Sequence, residues 1–288
     1  MKVYLGVDVG SGSARAGLFD AHGDRLGTGV EPIEVFHPEE DHVEQSSEDI
    51  WRACGTAVRA ALREAGVSGT SIAGVGFDAT CSLVALDAHD RPVSTSTSSR
   101  DEQNVVMWMD HRAHDEAAEA SATNEEVLRY VGGRVSLEMQ TPKLMWIKRH
   151  LPDSYRRAAR FLDLPDFLTY RATGNDIRSH CSTVCKWTYL GHENNGRGRW
   201  SESYFAKIGL EDLLPDDARR IGREIRPIGD TAGHVTPTAA RELGIASGAP
   251  VGVSAIDAHA GGLGLLGVTP DGGVLDQRSF DRRLALIG

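Results

Sequence analysis

An apolar run at Val3–Val9 meets a short cluster of small polar residues and gives way to a second apolar run over residues 14–20. The pattern predicts a strand, a tight glycine turn and a second strand. Residues 25–35 read as a third strand, reached through a hairpin turn at Ala21-His22-Gly23-Asp24. Ser46-Ser47-Glu48-Asp49 then opens a helix to about Ala65, with Ser46 or Ser47 as its cap and Gly66 as its stop. Residues 72–77 and 83–86 read as two more strands. Strands and helices interleaved in this way predict an α/β class with a mixed central sheet and flanking helices.

The middle of the chain is more helical. Residues 110–122 are polar and alanine-rich, and Pro142 stands where the first turn of the next helix should be. Pro152, Pro165 and Gly174 punctuate short elements, and residues 182–189 form an apolar, β-prone run. Residues 193–199 read as a surface loop, Pro237–Leu243 as a short helix and residues 249–254 as a buried strand.

Composition narrows the function classes. The 288 residues, 40% hydrophobic and 25% charged, suit a soluble protein of one large or two small domains. A net charge of −10 argues against a nucleic-acid partner, because phosphate backbones need a basic face. No apolar run approaches a membrane span, and Met1-Lys2 leads straight into a strand without a visible signal peptide. The four cysteines, Cys54, Cys81, Cys181 and Cys185, show no framework spacing, so reduced thiols in the cytoplasm are the expectation.

Chemistry concentrates at strand ends. The first turn offers Asp8, Gly10, Ser11, Gly12, Ser13 and Arg15, a set that suits a phosphate and its metal ion. It is not a Walker A loop, which needs a lysine, nor a dinucleotide fingerprint, because Arg15 stands where a third small residue belongs. It reads either as an anion nest, with glycines chosen for positive φ and close backbone approach, or as an ordinary Gly/Ser hairpin. In the first reading Asp8 holds Mg²⁺ through water. A buried strand delivers Asp257, placed as a general base for a hydroxyl, as a helix cap, or as both. The Gly-x-Gly-x-x-Gly pattern at Gly262-Leu263-Gly264-Leu265-Leu266-Gly267 follows the helix start, so its glycines are expected to let that helix pack closely on the sheet.

Three further segments bear polar groups. Gly76-Phe77-Asp78-Ala79-Thr80-Cys81-Ser82 is a ligand-facing strand end or a plain turn. Trp108-Met109-Asp110-His111-Arg112 is an aromatic face with charged partners, as sugars require, or a core tryptophan before a helix. Lys186 contacts a ligand or faces water from an edge strand. His180, Cys181 and Cys185, and likewise His111 and His114, lack a second pair at zinc-ligand spacing, which argues against a protein-held zinc.

Taken in order, these stretches resemble the FGGY family of carbohydrate kinases, and over the whole chain. Gly6-Val-Asp-Val-Gly-Ser-Gly-Ser-Ala-Arg15 and Ile256-Asp-Ala-His-Ala-Gly-Gly-Leu-Gly264 match the family at large. Glu44-Gln-Ser-Ser-Glu-Asp-Ile-Trp51, Leu164-Pro-Asp-Phe-Leu168 and Cys185-Lys-Trp-Thr-Tyr189 match as well, and Phe77-Asp-Ala-Thr-Cys-Ser82, Trp108-Met-Asp-His-Arg-Ala113 and Asp257-Ala-His-Ala-Gly-Gly262 resemble its D-ribulokinase branch. The resemblance implies a ribonuclease H-like, actin-like ATPase domain. It implies transfer of a phosphoryl group from ATP, with Mg²⁺, to the terminal hydroxyl of a ketopentose, D-ribulose first, with L-ribulose, xylulose or a polyol as alternatives. A non-catalytic sugar-binding module is the reading from another class. By the same resemblance Asp257 is the base. Asp8, Gly10, Ser11, Gly12, Ser13 and Arg15 surround the phosphoryl group, and Thr80, Cys81, Trp108, Asp110, His111, Lys186, Asp257 and His259 line the sugar pocket. The family usually has threonine where Ser11 stands, and the hydroxyl is kept. Residues 1–267 are then the sugar-binding domain and 268–288 the start of a nucleotide-binding domain cut short, so the chain alone should bind sugar weakly and not turn over ATP. A homodimer is compatible with the reading.

Overall fold

The computed structural model describes residues 2–267. β1 (Val3–Val9), β2 (Ser13–Phe19) and β3 (Arg25–Pro32) form an antiparallel meander. Along β1 the alternation puts Val3, Leu5, Val7 and Val9 in the core and turns Tyr4, Gly6 and Asp8 to the opposite face. After β4 (Glu44–Gln45) comes α1 (Ser47–Ala65). The Ser46 hydroxyl accepts the Asp49 N–H at 3.3 Å, and Gly66 closes the helix at φ 64°. α1 lies so close to β3 that a Cβ on Gly29 would stand 2.1 Å from the Ala57 carbonyl oxygen.

β5 (Ile72–Ala79) pairs parallel with β1 and sets Asp78 directly beside Asp8. There follow β6 (Leu83–Leu86), β7 (Val105–Val106), α2 (His114–Ala122), α3 (Gln140–His150), α4 (Pro152–Arg157), β8 (Arg160–Asp163), α5 (Leu164–Thr173), β9 (Ile177–Ser179) and α6 (His180–Trp187). The chain continues through α7 (Glu202–Lys207), α8 (Pro215–Ala218), β10 (Glu224–Arg226), β11 (Thr231–His234), α9 (Pro237–Leu243), β12 (Pro250–Gly252), β13 (Ala255–Ile256) and α10 (Asp257–Gly267).

The main sheet runs β11-β12-β5-β1-β2-β3, with β13 continuing alongside β5. It is mixed, as expected, because β1, β12 and β13 all pair parallel with β5 while the meander and β11 are antiparallel. One apolar cluster lies between this sheet and α1, α5 and α9. A second joins α3, β8, α6 and α7 through Trp146, Phe161, Trp187, Tyr204 and Phe205.

The structure departs from the sequence pattern in four places. Residues 182–189 are not a strand but fall in and just after α6. The Ser179 hydroxyl caps this helix through the Cys181 N–H, and Thr188 ends it at φ 61°. Burial of Trp187 outweighs the β preference of Thr183 and Val184. The helix expected over residues 110–122 begins only at His114, because Asp110 and Arg112 are committed to an ion pair. The strand expected over residues 249–254 shortens to β12, and β13 follows beyond it as a separate strand. Among the described residues a Cβ on Gly264 would meet nothing within 4 Å, so that glycine does not bring α10 onto the sheet. The expected second-domain segment, 268–288, lies outside the described residues.

Candidate active site

At the carboxyl ends of β1, β5 and β13 a cleft of about 820 Å³ opens. Sites in open α/β sheets form at such ends. Asp8 closes one side, and its Oδ2 accepts Arg15 Nη1–H at 2.9 Å across the β1–β2 pair. Both partners are part-exposed, so this pair orients the two groups more than it stabilises the fold. Gly10 leaves room for the guanidinium, which would lie 3.3 Å from a Cβ there. Neither Gly10 nor Gly12 has a left-handed φ. Close approach, and not positive φ, is therefore what glycine supplies at Gly10.

The turn is closed by the Gly10 N–H donating to the Ser13 carbonyl at 3.1 Å. Ser13 opens β2, and the Gly12 carbonyl accepts the Ile33 N–H. The Ser11 carbonyl accepts Gln45 Nε2–H at 2.9 Å, and its hydroxyl accepts the Trp108 indole N–H at 2.9 Å. The turn is thereby tied to the opposite side of the cleft.

Asp257 begins α10, and its Oδ1 accepts the Ala258 N–H at 2.8 Å. It lines the cleft together with Asp8 and Asp78, so helix start and cleft position coexist in one residue. Burial, then the neighbouring Asp8 carboxylate, then Asp257 push the Asp78 carboxyl up to about 8. Asp78 sits inside a segment singled out from sequence, yet its importance depends on the parallel register with β1, which the local pattern does not carry.

Thr80, Cys81, Trp108 and Lys186 line the same cleft. Thr80 is buried, and among the described residues its hydroxyl has no hydrogen-bond partner. An orphaned buried hydroxyl costs free energy unless a ligand pairs with it. Cys81 is buried and its thiol is pushed well up by that burial, so it presents a neutral wall. Lys186 reaches in from α6, with its ammonium 3.4 Å from the Glu138 carboxylate. Glu138, also in the cleft, was not singled out from sequence, having no motif around it.

Three expected sugar contacts lie elsewhere. Asp110 is buried, bonded to the Arg112 guanidinium and to the Val43 N–H at 2.6 Å. Arg112 also binds Glu44 at 2.7 Å, with both side chains shielded from water. The three form a buried brace rather than a ligand contact. His111 is exposed, with its backbone N–H on the Asp41 carbonyl. His259 turns Nδ1 to the Cys181 sulfur at 3.5 Å and does not line the cleft.

The hard carboxylate oxygens of Asp8 suit a divalent cation such as Mg²⁺. Among the described residues, no group of three or more His, Cys, Asp or Glu surrounds a metal position, so such an ion would need water or phosphate oxygens as well. No described helix is long and apolar enough to cross a membrane.

Comparison with known proteins gives one consistent answer. Residues 3–264 match the N-terminal domain of the FGGY family of carbohydrate kinases. The chain is 44% identical to a human FGGY carbohydrate kinase domain-containing protein, across 99% of this chain and 51% of that one. It is 38% identical to a D-ribulokinase from Saccharomyces cerevisiae, across 95% of this chain and 39% of that one. Among solved structures, a xylulose kinase from Brucella ovis superposes with a TM-score of 0.76 at 26% identity, across 93% of this chain and 51% of that one. The chain thus spans about half the length of the curated relatives it matches. Its actin-like fold, its strand-end cleft and these matches agree: the chain belongs to the FGGY family of carbohydrate kinases.

Proposed function

We propose that this chain is the sugar-binding half of a pentulose kinase, with D-ribulose as the preferred acceptor. The observation that carries the reading is one cleft lined by Asp8 and Asp257 together with Trp108 and Thr80, whose hydroxyl has no partner among the described residues. A pentulose offers hydroxyls for Thr80 and Lys186 and an apolar ring or chain face for Trp108. The Ala258 N–H holds Oδ1 of Asp257, which leaves Oδ2 to take the proton of the sugar's terminal hydroxyl. Asp8 would hold Mg²⁺ through water, while Gly10, Ser11, Gly12, Ser13 and Arg15 would bound the place of the transferring phosphoryl group. Bound MgATP supplies that phosphoryl group.

The choice of D-ribulose leans on the 38% identity to the yeast D-ribulokinase, and xylulose follows from the likeness to the Brucella kinase. The match covers about half of such relatives, and the 288 residues taken by themselves are proposed to bind sugar without turning over ATP. Four free cysteines suit a reducing, cytoplasmic setting.

Calorimetry of the chain against D-ribulose, L-ribulose, D-xylulose, ribitol and glycerol tests the reading. Binding of a pentulose in preference to glycerol is the expected result. Equal indifference to all five overturns it, and steady phosphorylation of D-ribulose by this chain alone overturns the claim that it is inactive.

A further inference from the structure

The function above makes no use of Cys181 and Cys185. Cys54 and Cys81 are buried, whereas Cys181 is half-buried and Cys185 exposed, so a small oxidant in solution meets only the latter two. They stand one turn apart on α6 and so share a face of that helix. The His259 Nδ1 lies 3.5 Å from the Cys181 sulfur, and His259 is two residues beyond Asp257. Lys186, next after Cys185, enters the cleft. We propose that Cys181 and Cys185 are a peroxide-sensitive dithiol, which closes to a disulfide at the rim of the cleft and weakens sugar binding.

The chemistry balances with hydrogen peroxide as the oxidant. The Cys185 thiolate attacks one peroxide oxygen, the O–O bond breaks, and a sulfenic acid forms while hydroxide leaves and takes a proton to become water. Cys181 gives its proton to His259, and its sulfur attacks the Cys185 sulfur. The S–O bond breaks, and the departing hydroxide takes the proton back and leaves as a second water. Two thiols are oxidised by one electron each, and one peroxide is reduced by two. The closeness of the two thiols on α6 favours this order, since Cys181 as neighbour holds the Cys185 thiol down at about 7 while its own is pushed up. A thiol with a value near ambient pH is the better attacking group.

Closing the bond has a geometric consequence. Side chains one turn apart keep their Cβ atoms about 5–6 Å apart, whereas a disulfide needs about 3.5–4.5 Å. The second half of α6 must tighten, and Lys186 leaves its place 3.4 Å from Glu138. This loss of affinity rests on the pentulose-binding reading, whereas the disulfide does not.

The test treats the reduced 288-residue chain with stoichiometric hydrogen peroxide, alkylates it and maps its peptides by mass spectrometry. A Cys181–Cys185 linkage that a reductant reverses is expected. Cys185→Ser should abolish it, and Cys181→Ser should leave Cys185 to accumulate as sulfenic and sulfinic acid. Linkage to Cys81, linkage between chains, or unreacted Cys185 overturns the proposal. Calorimetry with D-ribulose before and after oxidation should then show at least a severalfold, reductant-reversible loss of affinity. Equal affinity in both states overturns the coupling to the cleft. Absence of sugar binding by the reduced chain counts against the assigned function and leaves the dithiol result standing.

Discussion

Asp8, Asp78 and Asp257 stand at neighbouring ends of parallel strands, whereas Trp108 and Lys186 come from a loop and a helix. The first group is placed by backbone ladders, in which Asp8 opposes Asp78 and Ala255 opposes Asp78. In the second, the loop that carries Trp108 is placed by buried polar side chains. The Lys143 ammonium donates to the Met107 carbonyl at 2.8 Å, the Ser82 hydroxyl accepts the Trp108 N–H at 3.2 Å, and Arg112 ties Asp110 to Glu44. Lys143 is wholly buried, and that burial brings its ammonium down to about 8. Backbone register is shared by a whole sheet and resists single substitutions, while a brace of buried side chains fails when one member is removed.

The largest effect should come from chemistry on the strand side. In a full-length kinase carrying this domain, Asp257→Asn should keep the sheet intact and lower kcat by about 10²–10⁴-fold. A loss below about tenfold, or ~1.4 kcal/mol of barrier, would remove Asp257 from the role of base.

The braced side should break by stability instead. Arg112→Ala leaves Asp110 and Glu44 buried without their cation, and urea denaturation should show a loss of about 3–5 kcal/mol. A loss under about 1 kcal/mol would mean that the brace does not hold this side of the cleft. The strand side has its own mechanical limit where α1 meets β3. Gly29→Ala should cost about 1–3 kcal/mol, because the new methyl meets the Ala57 carbonyl, whereas Gly76→Ala enters open space and should be near neutral.

The smallest effect is a slope. Asp78 is raised from 3.8 to about 8 by burial and by Asp8. Between those values the folded chain keeps a proton that the unfolded chain has released, so its contribution to stability is lost as pH rises from about 4 to 8. Asp78→Asn cannot titrate. Denaturation midpoints of the variant should therefore fall less across that range, and parallel curves would show that Asp78 is not held protonated.

The same contrast decides what could be read from the sequence. Val3–Val9, α1 and Pro237–Leu243 were legible because alternation, a serine cap, a proline and a glycine stop are local signals. Asp8, Thr80, Trp108, Lys186 and Asp257 were picked out by type and place, and all five line the cleft. Asp110 was misplaced because its partner Val43, and the Glu44 that shares its Arg112, lie far back in the chain, and a charge beside a tryptophan carries no sign of which way it turns. α6 was misread because its β-branched residues outweigh, locally, a burial that only the packing of Trp187 reveals. Asp78 escaped notice because a register between strands nearly seventy residues apart has no signature in either strand.

A bond between two side chains crosses between the two sides: the Trp108 indole on the Ser11 hydroxyl. A ligand that swings the indole also strips the turn of that contact, and a ligand that claims the hydroxyl frees the ring. Linkage makes such an effect reciprocal, so whatever factor occupancy of the turn imposes on the indole side returns unchanged in the other direction. Order of arrival then alters the route but not the final balance, and Ser11→Ala would uncouple the two occupancies without removing either one.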